Sequence, residues 1–354
     1  MKHKDLYQQI KTHFLQAEAR DIYHARPNQI AAANAAPQRA TLETLVDAMF
    51  AGDATLHWEL ECPACKAFRD ITSPFEHPLH ETTCAACHAH FTVHTDGETQ
   101  VSFSPHPTLR PLDDTSVDPA YLHKLHAQYP PTSVYELMTV QTFRDWAQNE
   151  PLPGSEYLEV RKMVLWFSDL TGSTALYARN GDPLAFNLVR EHFTIVTDAV
   201  LNAGGAIVKT IGDGVMAVFT TTAQGLQAAL DANTHLETFN RENQLQNNRR
   251  LQLKVGIHAG PAIVVTLNDR LDYFGTTVNI AARVSNLAKG QEILLTQAAY
   301  TEPGIATMEK PYTLDTFISP IRGLDDKITL HRLQLNPQPQ RKGLLAFLDR
   351  LGNN

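Results

Sequence analysis

FSDLTGST (167–174), VKTIGDGVMAVF (208–219) and LDYFGTTVNIAAR (271–283) are the three stretches that decide the fold of the second half of this chain. The first continues an apolar run typical of a buried strand. In the second, two strand-like runs flank Gly212-Asp213-Gly214, which is the pattern of a tight hairpin turn. The third has apolar residues at helical spacing after a glycine. These stretches therefore place two turns and a helix start at the ends of predicted strands.

Helical patterns at 173–203 and 222–240 separate these strands, and LQLKVGI at 251–257 predicts another strand. The resulting order is βαββαβ. That order favours an α+β sandwich of ferredoxin-like type, which we assign to residues 161–335.

Two carboxylates stand at strand ends in this region. Asp169 ends the first strand, and Asp213 lies at the tip of the hairpin. Taken singly, Asp169 reads as a helix N-cap and Asp213 as a turn residue. The first strand of a βαββ unit lies beside the hairpin. Together, the two carboxylates are therefore expected to bind the same pair of hard cations. The glycine-containing turn after Asp169 exposes N–H groups at a helix start, so the pair predicts a Mg²⁺–polyphosphate site.

In this order the three stretches resemble the catalytic domain of class III adenylate/guanylate (nucleotidyl) cyclases over about 161–335. The resemblance implies that Asp169 and Asp213, with the backbone of Leu170, hold two Mg²⁺ or Mn²⁺ ions. It implies that Lys209 and Asp272 read the purine base. The phosphate contacts it implies are Thr171, Gly172, Ser173, Thr174 and Arg322.

In the same family, Asn279 and Arg283 would orient the ribose and stabilise the transition state. Without the resemblance, these two residues read as the polar face of a helix over 276–288. The site would be shared between the two subunits of a homodimer. We expect an adenylate cyclase that converts ATP to 3′,5′-cyclic AMP and pyrophosphate. The alternatives are a cyclase with another base preference (CTP, GTP or UTP) and a regulatory scaffold that only senses nucleotide.

The four cysteines form the pattern C-x2-C-x18-C-x2-C, as Cys62, Cys65, Cys84 and Cys87. This spacing is typical of a four-thiolate zinc site, and we expect one structural Zn²⁺ per chain. Two disulfides or a redox-active pair are the alternatives. We interpret residues 53–104 as a small β-rich zinc-ribbon-like module, similar to a leader domain of some bacterial cyclases. The histidines nearby are interpreted as surface residues or as support for the ligands.

The other segments are predicted from their patterns. Residues 1–52 form a helical segment, with one helix over 5–24 and a second that begins at Thr41 as N-cap. Residues 105–160 form a proline-punctuated connector with helices at 119–128 and 133–148. Residues 336–354 form a tail that ends in a short amphipathic helix. The N-terminal region is interpreted as regulatory, with a partner or ligand of its own.

Composition narrows the class of protein. The chain has 354 residues, with 30 Lys plus Arg against 38 Asp plus Glu and a formal net charge of −8. This acidic balance argues against a nucleic-acid-binding protein. No apolar run approaches the length of a transmembrane helix, and the N-terminus does not resemble a secretory signal. We therefore expect a cytoplasmic protein without a transmembrane segment.

Overall fold

The computed structural model of the protein describes residues 3–112, 119–147, 152–153, 156–268, 270–323 and 326–335. The helix predicted in the tail at 336–354 lies outside these residues, as do parts of the predicted connector. Among the described helices, none is both long and apolar enough to cross a bilayer.

The N-terminal half is a group of short helices packed on a small antiparallel sheet. Its helices are α1 (Lys4–Gln16), α2 (Ala19–Ile22), α3 (Pro27–Ala33), α4 (Gln38–Phe50), α5 (Pro119–Gln128), α6 (Val134–Met138) and α7 (Gln141–Ala147). Its strands are β1 (Ala54–Glu61), β2 (Phe68–Ile71), β3 (Glu81–Thr83), β4 (His90–Thr92), β5 (Thr99–Pro105) and β6 (Thr132–Ser133). The sheet has the order β2-β1-β5-β6, and β3 and β4 form a separate hairpin.

The C-terminal half is built on one large mixed sheet. Its strands are β7 (Leu158–Leu170), β8 (Ala206–Ile211), β9 (Gly214–Phe219), β10 (Leu253–Leu267), β11 (Arg270–Phe274), β12 (Glu292–Thr296), β13 (Thr313–Pro320) and β14 (Lys327–Gln334). Its helices are α8 (Ser173–Asn180), α9 (Asp182–Asn202), α10 (Thr222–Glu242), α11 (Thr276–Leu287), α12 (Gln297–Tyr300) and α13 (Ile305–Met308).

The strand order is β13-β14-β12-β10-β7-β9-β8, with β11 paired to β10 as a hairpin. The inner strands β10-β7-β9-β8, with α9 and α10, have the predicted βαββαβ arrangement. Strand β7 begins at Leu158, so the boundary predicted between residues 160 and 161 falls inside it.

Two predictions for the first helices are wrong. The helix predicted over 5–24 ends at Gln16, because Ala17 takes an extended conformation with ψ of 162°. Thr41 is not an N-cap. Pro37 occupies that position of α4, and the Thr41 hydroxyl donates to the Pro37 carbonyl at 3.1 Å from inside the helix.

Two longer predicted helices are each interrupted. The helix predicted over 133–148 is divided into α6 and α7, and a capping box between Ser133 and Glu136 begins the first. The helix predicted over 173–203 breaks at Gly181, whose φ of 77° is not helical. This residue separates α8, beside the predicted site, from the long α9 that covers the sheet.

The central strands of the large sheet are buried on both faces by different parts of the chain. Val164 and Trp166 of β7 pack with residues of α9 and α10. The alternate residues Leu165 and Phe167 belong to a cluster that continues through β1, β5 and α1 into the N-terminal half. Successive strand residues point to opposite faces, so β7 is the common wall of both cores. The N-terminal half therefore shares a hydrophobic core with the C-terminal half.

His258 predicts how stability depends on pH. Burial lowers its pKa to about 4, and its Nδ1 lies 2.7 Å from the Thr296 hydroxyl. Below about pH 6.5, His258 binds a proton in the unfolded chain but stays neutral in the folded chain. The free energy of unfolding therefore falls as the pH drops towards 4. We expect His258→Asn to reduce the loss of Tm between pH 7 and pH 4.5, measured by circular dichroism. His235→Asn, at an exposed position of α10, is the control. An unchanged pH dependence for His258→Asn would contradict the assignment.

Candidate functional site

Asp169 and Asp213 lie side by side at one end of the large sheet. Asp169 is the second-last residue of β7, and Asp213 lies in the turn between β8 and β9. Because β9 pairs with β7, the turn is brought against the end of β7. A Cβ on Gly214 would lie only 2.7 Å from the Ser168 carbonyl oxygen. Glycine at 214 is therefore required for this close approach.

The two carboxylates repel each other. Burial raises the pKa of Asp213, and the neighbouring charge of Asp169 raises it further, whereas a hydrogen bond from Ser173 lowers it. The Oδ2 atom of Asp213 is buried and has no hydrogen-bond partner among the described residues. Such an atom costs free energy unless a cation or a donor reaches it. The pair has the oxygen-only chemistry that Mg²⁺ and Mn²⁺ prefer.

Lys254 is a residue of this site that the sequence analysis did not identify. It faces Asp169 across the β7–β10 pair, and its Nζ lies 2.8 Å from Asp169 Oδ2. The ammonium group neutralises part of the charge on the two carboxylates. Its position on a strand between apolar residues gave no signal of this role, because the partner is 85 residues away in the sequence.

His192 of α9 contacts the backbone of the turn between β8 and β9. It lies on α9, fully buried, with Nε2 at 3.1 Å from the Asp213 carbonyl oxygen. Burial lowers the pKa of His192 to about 4, so the ring is neutral at pH 7 and donates this hydrogen bond. This contact fixes the backbone that carries the carboxylate, and the sequence analysis did not identify it.

The turn predicted to bind phosphate follows β7 directly. Leu170 has a buried side chain, so only its backbone is offered to a ligand. Gly172 has a left-handed φ of 76° and is the N-cap of α8. Thr171 is exposed and Ser173 is partly buried. The side chain of Thr174 lies outside the described residues.

Lys209 and Asp272 form an ion pair through Nζ and Oδ2. Lys209 lies on the edge strand β8, and Asp272 lies on β11, almost fully buried. The second oxygen of Asp272 accepts the backbone N–H of Tyr273 at 2.8 Å. The structure therefore brings together the two residues to which base recognition was assigned.

Helix α7 of the N-terminal half contacts both strands that carry this ion pair. The buried guanidinium of Arg144 donates to the carbonyl of Leu271 and, at 3.1 Å, to the hydroxyl of Tyr273. The Gln141 amide oxygen accepts the N–H of Ile207 on β8 at 2.8 Å. Helix α7 thus holds both neighbours of Asp272 in the sequence. It also holds Ile207, which lies two positions before Lys209. Sequence reasoning did not identify this helix as part of the site.

Asn279 and Arg283 are separate from the carboxylates. Both lie on α11, Asn279 exposed and Arg283 partly buried. Among the described residues, no hydrogen bond or ion pair joins either to Asp169 or Asp213. The guanidinium of Arg283 is close to Gly323, next to the exposed Arg322. Within one chain the predicted site is therefore divided into a carboxylate part and an α11 part.

The four cysteines come together at two similar turns. Cys62 and Cys87 have sulfur atoms 3.7 Å apart, and those of Cys65 and Cys84 are 3.6 Å apart. These distances exceed a disulfide bond of about 2.05 Å and match the sulfur spacing of about 3.8 Å around a tetrahedral zinc ion. Backbone N–H groups of Cys87 and Ala86 lower the pKa of the Cys84 thiol to about 6, which favours the thiolate. The group fits a four-thiolate metal site.

Residues 156–311 match the family described as adenylate and guanylate cyclase catalytic domain. An adenylate cyclase of Anabaena cylindrica is 28% identical over 198 residues, which are 51% of this chain and 39% of that protein. An adenylate cyclase of Streptomyces coelicolor is 34% identical over 154 residues, covering 43% of this chain and 36% of that protein. The chain thus spans about two fifths of the length of these curated relatives.

Among solved structures, the adenylyl cyclase CyaB from P. aeruginosa covers 52% of this chain and 97% of its own, with 20% identity and a TM-score of 0.44. The sequence match covers all six residues of the predicted metal, base and ribose sets. Residues 156–311 are therefore similar in sequence to adenylate and guanylate cyclase catalytic domains.

We expect the carboxylate of Asp213 to lower the stability of the metal-free protein and to be needed for metal binding. We expect Asp213→Asn to raise Tm in EDTA by roughly 2–4 °C, as about 1 kcal/mol would, because it removes a repelling charge. The same change should reduce the rise in Tm that Mn²⁺ produces in the native protein, since one ligand is lost. Both are measured by thermal unfolding, with the exposed Asp198→Asn on α9 as control. Equal Mn²⁺ stabilisation of the native and Asp213→Asn proteins would contradict the site.

Proposed function

We propose that this protein is an adenylate cyclase that converts ATP to 3′,5′-cyclic AMP and pyrophosphate. The single observation that carries the proposal is the pair Asp169–Asp213, two carboxylates held together at a strand end with one buried oxygen unpartnered. The relatives named as adenylate cyclases support the same activity.

Each part of the site has a role in this reaction. Asp169 and Asp213, with the Leu170 backbone, would hold two Mg²⁺ or Mn²⁺ ions, which supply acidity to the attacking 3′-hydroxyl and neutralise triphosphate charge. The N–H groups of the turn at 172–174 and the exposed Arg322 would bind phosphate oxygens. Asn279 orients the ribose, and Arg283 stabilises charge that develops on the α-phosphoryl oxygens. Pyrophosphate leaves as the 3′-oxygen bonds to the α-phosphorus.

The division of the site within one chain supports a homodimer. Asn279 and Arg283 make no described contact with the carboxylates of their own chain. A second copy related by a two-fold axis would supply its α11 to these carboxylates, which gives two equivalent sites per dimer.

The shared site predicts complementation between inactive variants. Asp169→Ala and Arg283→Ala should each be nearly inactive as homodimers. After subunit exchange in an equal mixture, about one quarter of the sites should be intact, because half of the dimers are mixed and one of their two sites is native. Cyclic AMP formation before and after mixing measures this.

Asp169→Ala mixed with Asp213→Ala is the matched control, since every site of that mixed dimer lacks a carboxylate. If the first mixture stays as inactive as the control after proven exchange, the shared site is wrong.

The Lys209–Asp272 pair supports adenine as the base. Adenine presents an N6–H donor beside the N1 acceptor, which suits a carboxylate and an ammonium group. Guanine and uracil reverse this pattern and leave buried groups unpaired, at about 1–3 kcal/mol each. Cytosine copies the edge of adenine, so CTP is the chemically matched minor substrate.

The base preference is testable with a panel of nucleotides. The native enzyme should use ATP first, CTP weakly, and GTP and UTP about two orders of magnitude less efficiently than ATP, or worse. Lys209→Glu should lower kcat/KM for ATP, because N1 loses its donor, whereas Lys310→Glu at an exposed position should not. A native preference for GTP or UTP would instead favour a cyclase of another specificity. No cyclic product from any nucleotide would favour the nucleotide-sensing scaffold.

We also propose that Cys62, Cys65, Cys84 and Cys87 hold one structural Zn²⁺ in a regulatory N-terminal region. Free thiols in a tetrahedral group suit a reducing compartment such as the cytoplasm. The core shared between the two halves is the physical path by which that region would act on the site.

The zinc proposal predicts metal bound through sulfur. Reduced protein should release about one Zn²⁺ per chain when its thiols are titrated with a mercurial reagent, and Cys62→Ser should release less. The Cys62→Ser protein should also lose order in residues 53–104, seen as faster hydrogen exchange there. Release of no zinc on thiol titration of freshly purified native protein would contradict the site.

A further inference from the structure

We propose that His24, Glu59 and Asp70 form a second metal site in the N-terminal half, for a divalent first-row cation of the Zn²⁺ or Mn²⁺ kind. This histidine–carboxylate site is separate from the four cysteines and from the catalytic carboxylates. It joins the loop after α2 to strands β1 and β2.

The distances fit ligands around one ion. One potential ligand atom from each of the three residues lies within 4.8 Å of the others. His24 Nδ1 is 3.0 Å from Glu59 Oε1 and 3.5 Å from Asp70 Oδ1. Metal–ligand bonds of about 2.0–2.2 Å place neighbouring ligands about 3.0–3.5 Å apart in octahedral or tetrahedral geometry. The two carboxylate oxygens therefore already lie at the spacing of a coordination shell from His24 Nδ1.

The charges require a cation. Glu59 and Asp70 lie directly opposite each other on β1 and β2, an arrangement that repels. Glu59 is 0% exposed, and its Oε2 has no partner among the described residues, while Oε1 accepts from the Ser102 hydroxyl. The nearby guanidinium of Arg26 is engaged with Glu61 and Gln100. The two carboxylates together carry a charge of −2, which one divalent ion balances.

The surroundings hold the imidazole in place for binding. His24 has a left-handed φ of 48°, uncommon for a residue other than glycine, and its N–H donates to Ser104 Oγ at 2.9 Å. The ring of His57 stacks on the His24 ring at 3.8 Å. These contacts direct Nδ1 of His24 at the two carboxylates. The side chain of Asp70 is 66% exposed, so an ion can reach the site from solvent at this residue.

The test compares the metal content of full-length variants. Each protein is dialysed against Zn²⁺ or Mn²⁺, separated from free metal, and analysed for bound metal per chain. Native protein should hold one ion more than Glu59→Gln and one more than Asp70→Asn. Because Glu59 is buried and its variant is at risk of misfolding, the exposed Asp70→Asn carries the test on its own. Glu81→Gln is the matched control, since its side chain is 65% exposed in the same half.

X-ray absorption at the zinc edge gives a second measurement. Native protein should show nitrogen or oxygen neighbours of zinc that Asp70→Asn lacks, and added metal should raise the Tm of the native protein and of Glu81→Gln more than that of Asp70→Asn. Equal metal content in native protein and Asp70→Asn would overturn the proposal.

Discussion

The carboxylates of Asp169 and Asp213 lie side by side where β7 ends, and residues from several elements of the C-terminal half hold them there. Gly214 lets the hairpin approach β7, His192 fixes the hairpin backbone from below, and Lys254 faces Asp169 from β10. Two neighbouring carboxylates destabilise a fold unless cations offset their charge. Retaining both is a cost in stability that a divalent metal would remove, so the proposed site would be preorganised for metal before any nucleotide binds.

The N-terminal half is continuous with this arrangement. It covers one face of the large sheet, and β7 contributes to the cores on both of its faces. Helix α7 extends the contact to the Lys209–Asp272 pair, because Arg144 holds β11 around Asp272 and Gln141 holds β8 near Lys209. A shift of α7 would change the distance between Lys209 and Asp272. Metal sites in the N-terminal half would stabilise the elements that carry this helix.

The sequence predicted those parts of the site whose residues lie in recognisable short stretches. Asp169, Asp213 and the glycines around them define local turns, so their positions followed from pattern, as did the grouping of the four cysteines. Lys254, His192 and Arg144 were missed because their partners are distant in the sequence, and a lysine or histidine on a strand or helix has no periodic signature. The cluster of His24, Glu59 and Asp70 was missed for the same reason, since three separate segments supply it.

The predictions of helix boundaries were wrong where the backbone conformation of a single residue ends the helix. Gly181 and Ala17 end helices whose apolar spacing continues beyond them. Periodicity reports the face that a helix buries but not the residue at which the chain turns away.

The most direct measurement of the central claim is the fate of the triphosphate. Purified full-length protein is incubated with ATP and Mg²⁺ or Mn²⁺, and the products are followed by ³¹P nuclear magnetic resonance. The account predicts 3′,5′-cyclic AMP and pyrophosphate in equal amounts, formed only while divalent metal is present. Release of inorganic phosphate with ADP, or turnover that persists in excess EDTA, would contradict it.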